Sequence, residues 1–263
     1  MKLLLDADML LMRCLTMPGV EHEYELAPDQ WVRWAGIGEE ASNRYWEEVD
    51  RFCEHFETER RWVLHCFTEG STFRKRIDPN YKACRKDKAK PIGFWKMKQQ
   101  IIAINDEPDQ LNGQAFMQDE VEADDLLGIF ATQLKSWKEP YALISGDKDL
   151  KQIPGRRMWL DGQETYNSVK DSARQFWMQV LQGDRVDGVE GCPGYGEKTA
   201  AKVVDQFDFD KPLDCWEEVV RCFEKRGKDE IFALLQARLV RILQAGEYDF
   251  RKRSVTLWNP RTH

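Results

Sequence analysis

The residues of this chain best suited to chemistry are acids gathered in four short stretches: Asp6 and Asp8; Glu122, Asp124 and Asp125; Asp147 and Asp149; Asp184 and Asp187. Any one stretch is weak evidence. An Asp-x-Asp is more often a solvated turn than a pair of ligands, and the dipole at the head of a helix favours acids there without any ligand. Capping takes one acid or two, however, and Val121-Glu122-Ala123-Asp124-Asp125 offers three. Asp147 and Asp149 directly follow an apolar run, and Asp184 and Asp187 are spaced to share a face on a helical turn. Carboxylates brought close repel and partly protonate unless a cation neutralises them. An oxygen-only donor set without Cys or His selects Mg2+ or Mn2+ over zinc. Two such ions about 4 Å apart can activate water and stabilise the leaving oxygen of a phosphodiester.

Two further segments suit phosphate. Residues 73–90 read FRKRIDPNYKACRKDKAK, with eight Lys or Arg against two Asp and with Phe73 and Tyr81 interleaved. A charge run is usually a solvated face, but this one directly follows an apolar run, which would hold cations over the acids. Gly191-Cys192-Pro193-Gly194-Tyr195-Gly196 makes a tight turn before Glu197-Lys198-Thr199-Ala200-Ala201. Glycines allow close backbone approach, and amides at a helix start point at phosphate. The spacing is wrong for a GxxxxGK[ST] loop. It suits a hairpin that grips duplex backbone without reading bases.

These groups need a scaffold. Leu3-Leu4-Leu5, closed by Asp6, reads as a buried parallel strand; residues 62–67, 141–144 and 158–160 read likewise. Amphipathic stretches at 39–57, 94–105, 122–137 and 172–182 lie between or after them. Strands alternating with helices imply an α/β fold with a central, mostly parallel sheet flanked by helices. Ligands sit outside the carboxyl ends of such strands, where Asp6, Asp147 and Asp149 fall. Beyond Gly183 the chain reads helical, at 198–206, 214–225 and 229–245. The expected division is 1–182 and 183–263, packed together.

A length of 263 residues with 42% hydrophobic and 32% charged residues suits one large domain with an extension. The net charge of −7 opposes a polyanionic partner only on average, because the acids cluster and the bases gather elsewhere. Ten tryptophans are scattered and read as packing. Seven cysteines, an odd number without CxxC spacing, read as thiols in a reducing cytosol rather than disulfides or a zinc site. No apolar run approaches membrane-spanning length, so a cytoplasmic protein is expected.

LLLDAD with Arg13, FRKRIDPNYKACR, VEADD, ISGDKDL and GDRVDGVEGCPGYGEKTAAK occur in one order across roughly residues 3 to 204. In these motifs the chain resembles the structure-specific 5′ nucleases: flap endonucleases, the 5′-nuclease domain of bacterial DNA polymerase I and phage 5′→3′ exonucleases. The compact length is most similar to the free-standing phage enzymes. The resemblance implies a PIN-like core, a helical arch over the site at about 73–105, and a helix–three-turn–helix region that binds a monovalent cation, K+. It implies metal positions at Asp6, Glu122, Asp124, Asp125, Asp147, Asp149, Asp184 and Asp187, catalytic cations at Lys82 and Arg85, and DNA contacts at Arg13, Arg74, Tyr81, Gly194, Gly196, Lys198 and Thr199. Lys82 and Arg85 would share one helical turn. The implied substrates are DNA ends, gaps or flaps, or RNA–DNA hybrids, cut by a monomer in a phage-infected bacterial cell. The resemblance also implies an Asp directly after the second strand; Phe67-Thr68-Glu69-Gly70 stands there, with Glu69 the nearest acid.

Two rival readings use the same residues. Leu5-Asp6-Ala7-Asp8 and Gly146-Asp147 mimic a haloacid-dehalogenase-type phosphohydrolase, with Asp6 as nucleophile, but leave the basic run and the glycine hairpin unused. A DNA-binding module with inert acids is the non-enzymatic rival.

Overall fold

The computed structural model describes residues 1–16, 21–28, 30–35, 39–83, 90–91, 93–107 and 109–262. The first strand, β1 (Lys2–Asp6), runs into helix α1 (Ala7–Thr16). An antiparallel hairpin of β2 (Glu21–Ala27) and β3 (Gln30–Ala35) follows, then α2 (Glu39–His55). Next come β4 (Val63–Thr72), the short α3 (Phe73–Ile77), α4 (Gly93–Ile102), β5 (Gln114–Glu120) and α5 (Ala123–Ser136). The sheet is completed by β6 (Tyr141–Ile144), β7 (Gly155–Met158) and β8 (Glu164–Asn167). Four helices then dominate: α6 (Val169–Gln182), α7 (Glu197–Val204), α8 (Pro212–Glu224) and α9 (Glu230–Val240). A two-residue ladder, β9 (Tyr248–Asp249) with β10 (Ser254–Val255), follows.

The six-stranded sheet has the order β5-β4-β1-β6-β7-β8 and is parallel except for the β7–β8 pair. This is the mostly parallel, helix-flanked architecture expected. β1 is central, paired with β4 from Leu3–Val63 to Asp6–Cys66 and with β6 on its other side. Alternation along a strand explains why three successive leucines are all buried. Leu3 and Leu5 enter the core formed with α1, α2 and α4, and Leu4 enters the core beneath α5. Asp6 therefore emerges at the carboxyl edge between two packed layers.

The strand expected at 158–160 lies earlier, as β7. Two edge strands, β5 and β8, carry mostly partly exposed side chains and lack the apolar run that marked their neighbours. The last helix expected, 229–245, stops at Val240, because Ile242 and Leu243 leave it to join the core under α5. A third core joins α6 to α7, α8 and α9 and includes Trp177, Trp216 and Trp258. Six cysteines among the described residues are free and buried. Among the described residues no helix is long and apolar enough to cross a membrane.

Candidate metal and nucleic-acid site

Four elements deliver the acids to one edge of the sheet. Asp6 ends β1 and is 6% exposed; its carboxylate accepts hydrogen bonds from the Met9 amide (3.0 Å) and the Ser145 hydroxyl (2.9 Å). Glu122 and Asp124 start α5, where Glu122 and Asp125 form a reciprocal capping box. Asp147 follows β6 and accepts the Asp149 amide at 2.8 Å, and Asp149 accepts the Gln179 side-chain amide at 2.7 Å. Asp184 and Asp187 lie in the segment after α6, where the Asp184 carboxylate accepts the Val186 and Asp187 amides.

The acids line two neighbouring cavities. The larger, about 540 Å³, is bordered by Asp6, Asp8, Glu69, Glu122, Asp124 and Asp147, with Lys75, Lys82, Lys90 and Lys98. The smaller, about 20 Å³, is bordered by Asp124, Asp149, Asp184 and Asp187 with Tyr81. Asp124 belongs to both. Among the described residues no three acids close on one point as a finished coordination sphere. Lys82 bridges two of them, with its ammonium 2.8 Å from both oxygens of Glu122 and 3.7 Å from Asp187.

Protonation reports what the cluster lacks. Burial, followed by the charges of Asp8 and Asp147, pushes the Asp6 carboxyl up to about 7. Burial and the charge of Asp147 push Asp149 up to about 6. Asp124 is held well above the ordinary carboxylate range by burial and by the charges of Asp125 and Glu122. Glu122 goes the other way: burial would raise it, but Arg74 and Lys82 outweigh burial. Hard oxygen donors that hold protons for want of positive charge fit a divalent cation.

A stability consequence follows. Asp6 and Asp149 keep their protons to higher pH folded than unfolded, so their stabilising contribution is full below about pH 4 and is lost as pH rises through 6 to 7. Glu164, lowered to about 2 mainly by its hydrogen bonds from Arg156 and His55, acts below this window. The thermal midpoint of the protein in chelator should fall by several degrees between pH 5 and pH 8, and Mg2+ should abolish most of that fall. A flat or rising midpoint over this range contradicts the account.

Several expected roles change in the fold. Asp125 is fully buried and its two oxygens accept from Arg74 at 2.6 and 2.7 Å, and from the Glu122 and Leu243 amides. Four donors leave it no room as a metal ligand. Arg74, placed by the sequence among the cations that hold DNA, is 2% exposed and also donates to the Leu239 and Arg241 carbonyls. It lies beneath the site. Removing it strands a buried carboxylate, so Arg74→Ala should lose about 3–5 kcal/mol of unfolding free energy. Denaturant titration measures this; unchanged stability with weakened DNA binding would restore the original assignment.

Tyr81 does not offer its ring to a base: it is buried, with its hydroxyl donating to Glu122 at 3.0 Å. Lys82 is in a turn beyond the end of α3, with φ +52°. Arg85 itself lies outside the described residues. Arg13, in the last turn of α1, lines neither cavity, and its buried Nε has no hydrogen-bond partner among the described residues. Glu69 lines the larger cavity but is paired with Asp119, whose hydrogen bond raises its pKa. Gly194, Gly196, Lys198 and Thr199 are exposed at the start of α7, away from both cavities. The loop before them closes on itself: a Cβ on Gly191, whose φ is +67°, would sit 2.4 Å from the Gly183 amide nitrogen.

Lys98 was not legible as a site residue. It is 4% exposed on α4, donates to the Thr68 carbonyl at 2.5 Å and pairs with Asp8 at 3.2 Å. Asp8 also accepts the Thr68 amide at 2.7 Å. The carboxyl edge of β4, which has no Asp at this point, thus carries an acid borrowed from α1. Its place on the face that carries Phe94, Met97 and Ile101 is the one signal that pointed to it.

A mostly parallel sheet with acids from four elements at its carboxyl edge can hold the divalent ions that a phosphoester hydrolase uses. Residues 3–176 match the family described as "5'-3' exonuclease, N-terminal resolvase-like domain", and the chain belongs to that family. It is 25% identical to the exodeoxyribonuclease of Enterobacteria phage T3 and 24% identical to the exonuclease of Escherichia phage T7; each alignment covers 88% of this chain and 91% of the relative. Its fold is similar to T5 5′-exonuclease with bound zinc, at a TM-score of 0.65 and 17% identity over 91% of this chain and 88% of that one. A bacteriophage T5 flap endonuclease in complex with DNA and metal ions gives 0.61 and 17% over 90% and 88%.

Proposed function

We propose that the chain hydrolyses phosphodiester bonds from the 5′ end of DNA with two divalent ions, Mg2+ or Mn2+, in the two cavities. The observation that carries this is Asp124, which lines both cavities and so can serve two ions at once. Asp6, Glu122 and Asp147 would hold one ion with it, and Asp149, Asp184 and Asp187 the other. When bound, the ions supply charge for the attacking water and the leaving oxygen. The protein's own groups do the rest. Ser145 orients Asp6, Gln179 orients Asp149, and Lys82 keeps a positive charge where phosphate must enter.

Residues 183–263 complete the reading as the duplex-gripping region. Gly194, Gly196, Lys198 and Thr199 would hold backbone phosphates, with a monovalent cation at the glycine turn. The substrates are duplex ends, gaps or flaps, or RNA–DNA hybrids, met by a monomer in a bacterial cell. Phage exonucleases related over most of the chain support this, as does the T5 complex with DNA and metal ions. The dehalogenase-type reading is disfavoured by the family match, and the inert-acid reading by the exonuclease relatives that cover most of the chain.

Incubating 5′-labelled duplex, flap, gapped and hybrid substrates with Mg2+, Mn2+ or EDTA tests the proposal. Cleavage is expected with either ion and none in chelator. Undiminished cleavage in excess EDTA overturns it.

A further inference from the structure

The walls of the larger cavity differ in character. Glu122 and Asp124 come from the α5 side of the sheet, whereas Met9, Met12, Phe94 and Trp95 come from α1 and α4 on the other side. Phe94 is 1% exposed and meets Trp95 edge-on, with ring centroids 5.3 Å apart. The Lys98 ammonium lies 5.6 Å from the Trp95 ring. Trp95 itself is 58% exposed. Trp62 and Trp137 are also exposed, but they line neither cavity. An indole left open to water inside a cleft of acids and lysines is a different thing from a stray surface tryptophan.

We propose that Trp95 is a stacking platform for the 5′-terminal base of the strand being cut, which rests on the nuclease reading above. Phosphate belongs near Lys75, Lys82 and the acids; the base attached to it then faces the apolar wall. A base inside a duplex has both faces covered and must be unstacked to reach an indole. A terminal base offers a face at once. The cavity, at about 540 Å³, falls in the range that holds one small ligand, not a duplex. Stacking on an aromatic ring tolerates any sequence, because every base has a π face.

The test compares the parent with Trp95→Ala, Trp95→Leu and Trp95→Phe on two duplexes, one with an intact 5′-terminal nucleotide and one abasic there. Single-turnover cleavage is followed with Mg2+. Binding is followed in EDTA through 2-aminopurine placed at the intact terminus. On the intact end, Ala and Leu should lose about 10-fold in rate or affinity and most of the 2-aminopurine quenching, while Phe retains both. On the abasic end all four proteins should behave alike. Leu fills the space without a π face, so it answers the question even if Ala unfolds. Equal losses on the abasic end, or full quenching and rate in Trp95→Leu, overturn the proposal. A parent that cuts neither duplex removes instead the nuclease reading beneath it.

Discussion

Asp124→Asn is expected to slow single-turnover DNA cleavage by roughly 10³-fold or more while raising the thermal midpoint of the protein in chelator. The two effects have one cause. Asp124 lines both cavities, and burial together with the charges of Asp125 and Glu122 makes its ionised form unfavourable. Near neutral pH the folded protein either strains to keep that charge or binds a proton. An uncharged amide of the same shape relieves the strain and still accepts the Asp125 amide bond, which the carboxylate holds at 2.8 Å. The same change removes the acid that would serve two ions, and metal stabilisation of the transition state is worth several kcal/mol. Mg2+ should therefore raise the midpoint of the parent far more than that of the variant. Near-parental cleavage, or a lowered midpoint in chelator, would place the metals elsewhere.

Lys82→Ala should cost about 10²-fold in single-turnover rate at saturating DNA and metal, the scale of losing one preorganised electrostatic donor. The side chain is held for this role. A left-handed backbone at Lys82 is fixed by its amide donating to the Asp187 carbonyl at 2.7 Å, and the ammonium grips both oxygens of Glu122. This lysine sets its positive charge directly against Glu122. A divalent ion taking Glu122 would free the ammonium for the phosphate beside it. Mn2+ affinity in Lys82→Ala should accordingly equal or exceed the parent's while the rate falls, whereas a purely neutralising lysine would leave the rate intact. Saturation hides binding losses, so the rate alone separates the two. Arg85→Ala, measured in the same way, tests the second cation expected from the sequence.

Local signals carried much of this site. A leucine run ending in Asp6, three acids heading α5 and an Asp-Lys-Asp after β6 each combine an apolar element with its edge, and the fold keeps them there. The sequence was least legible where one residue's role depends on a distant partner. Arg74 looked like one cation among eight, yet its partner Asp125 lies 51 positions away and its carbonyl acceptors at Leu239 and Arg241 lie 165 and 167 away. Nothing in a charge run distinguishes the one arginine that turns inward. Edge strands were missed for a related reason. β5 and β8 each bury a single residue, Ala115 and Asn167, so they carry no apolar period to read.

The anchoring of Arg74 and Asp125 has a bearing on how the molecule comes into being. Their ion pair forms the floor beneath Glu122 and Asp124, and it is closed by the Leu239 and Arg241 carbonyls and the Leu243 amide. A chain released from synthesis only as far as β8 would contain every acid of the larger cavity, yet the arginine and aspartate below them would lack their lids. Contacts of such sequence separation form late, after the loop-closure entropy has been overcome. The floor of the site is therefore completed only by the end of α9 and the segment after it, so a chain that stops at β8 carries the acids without the groups that close the ion pair beneath them.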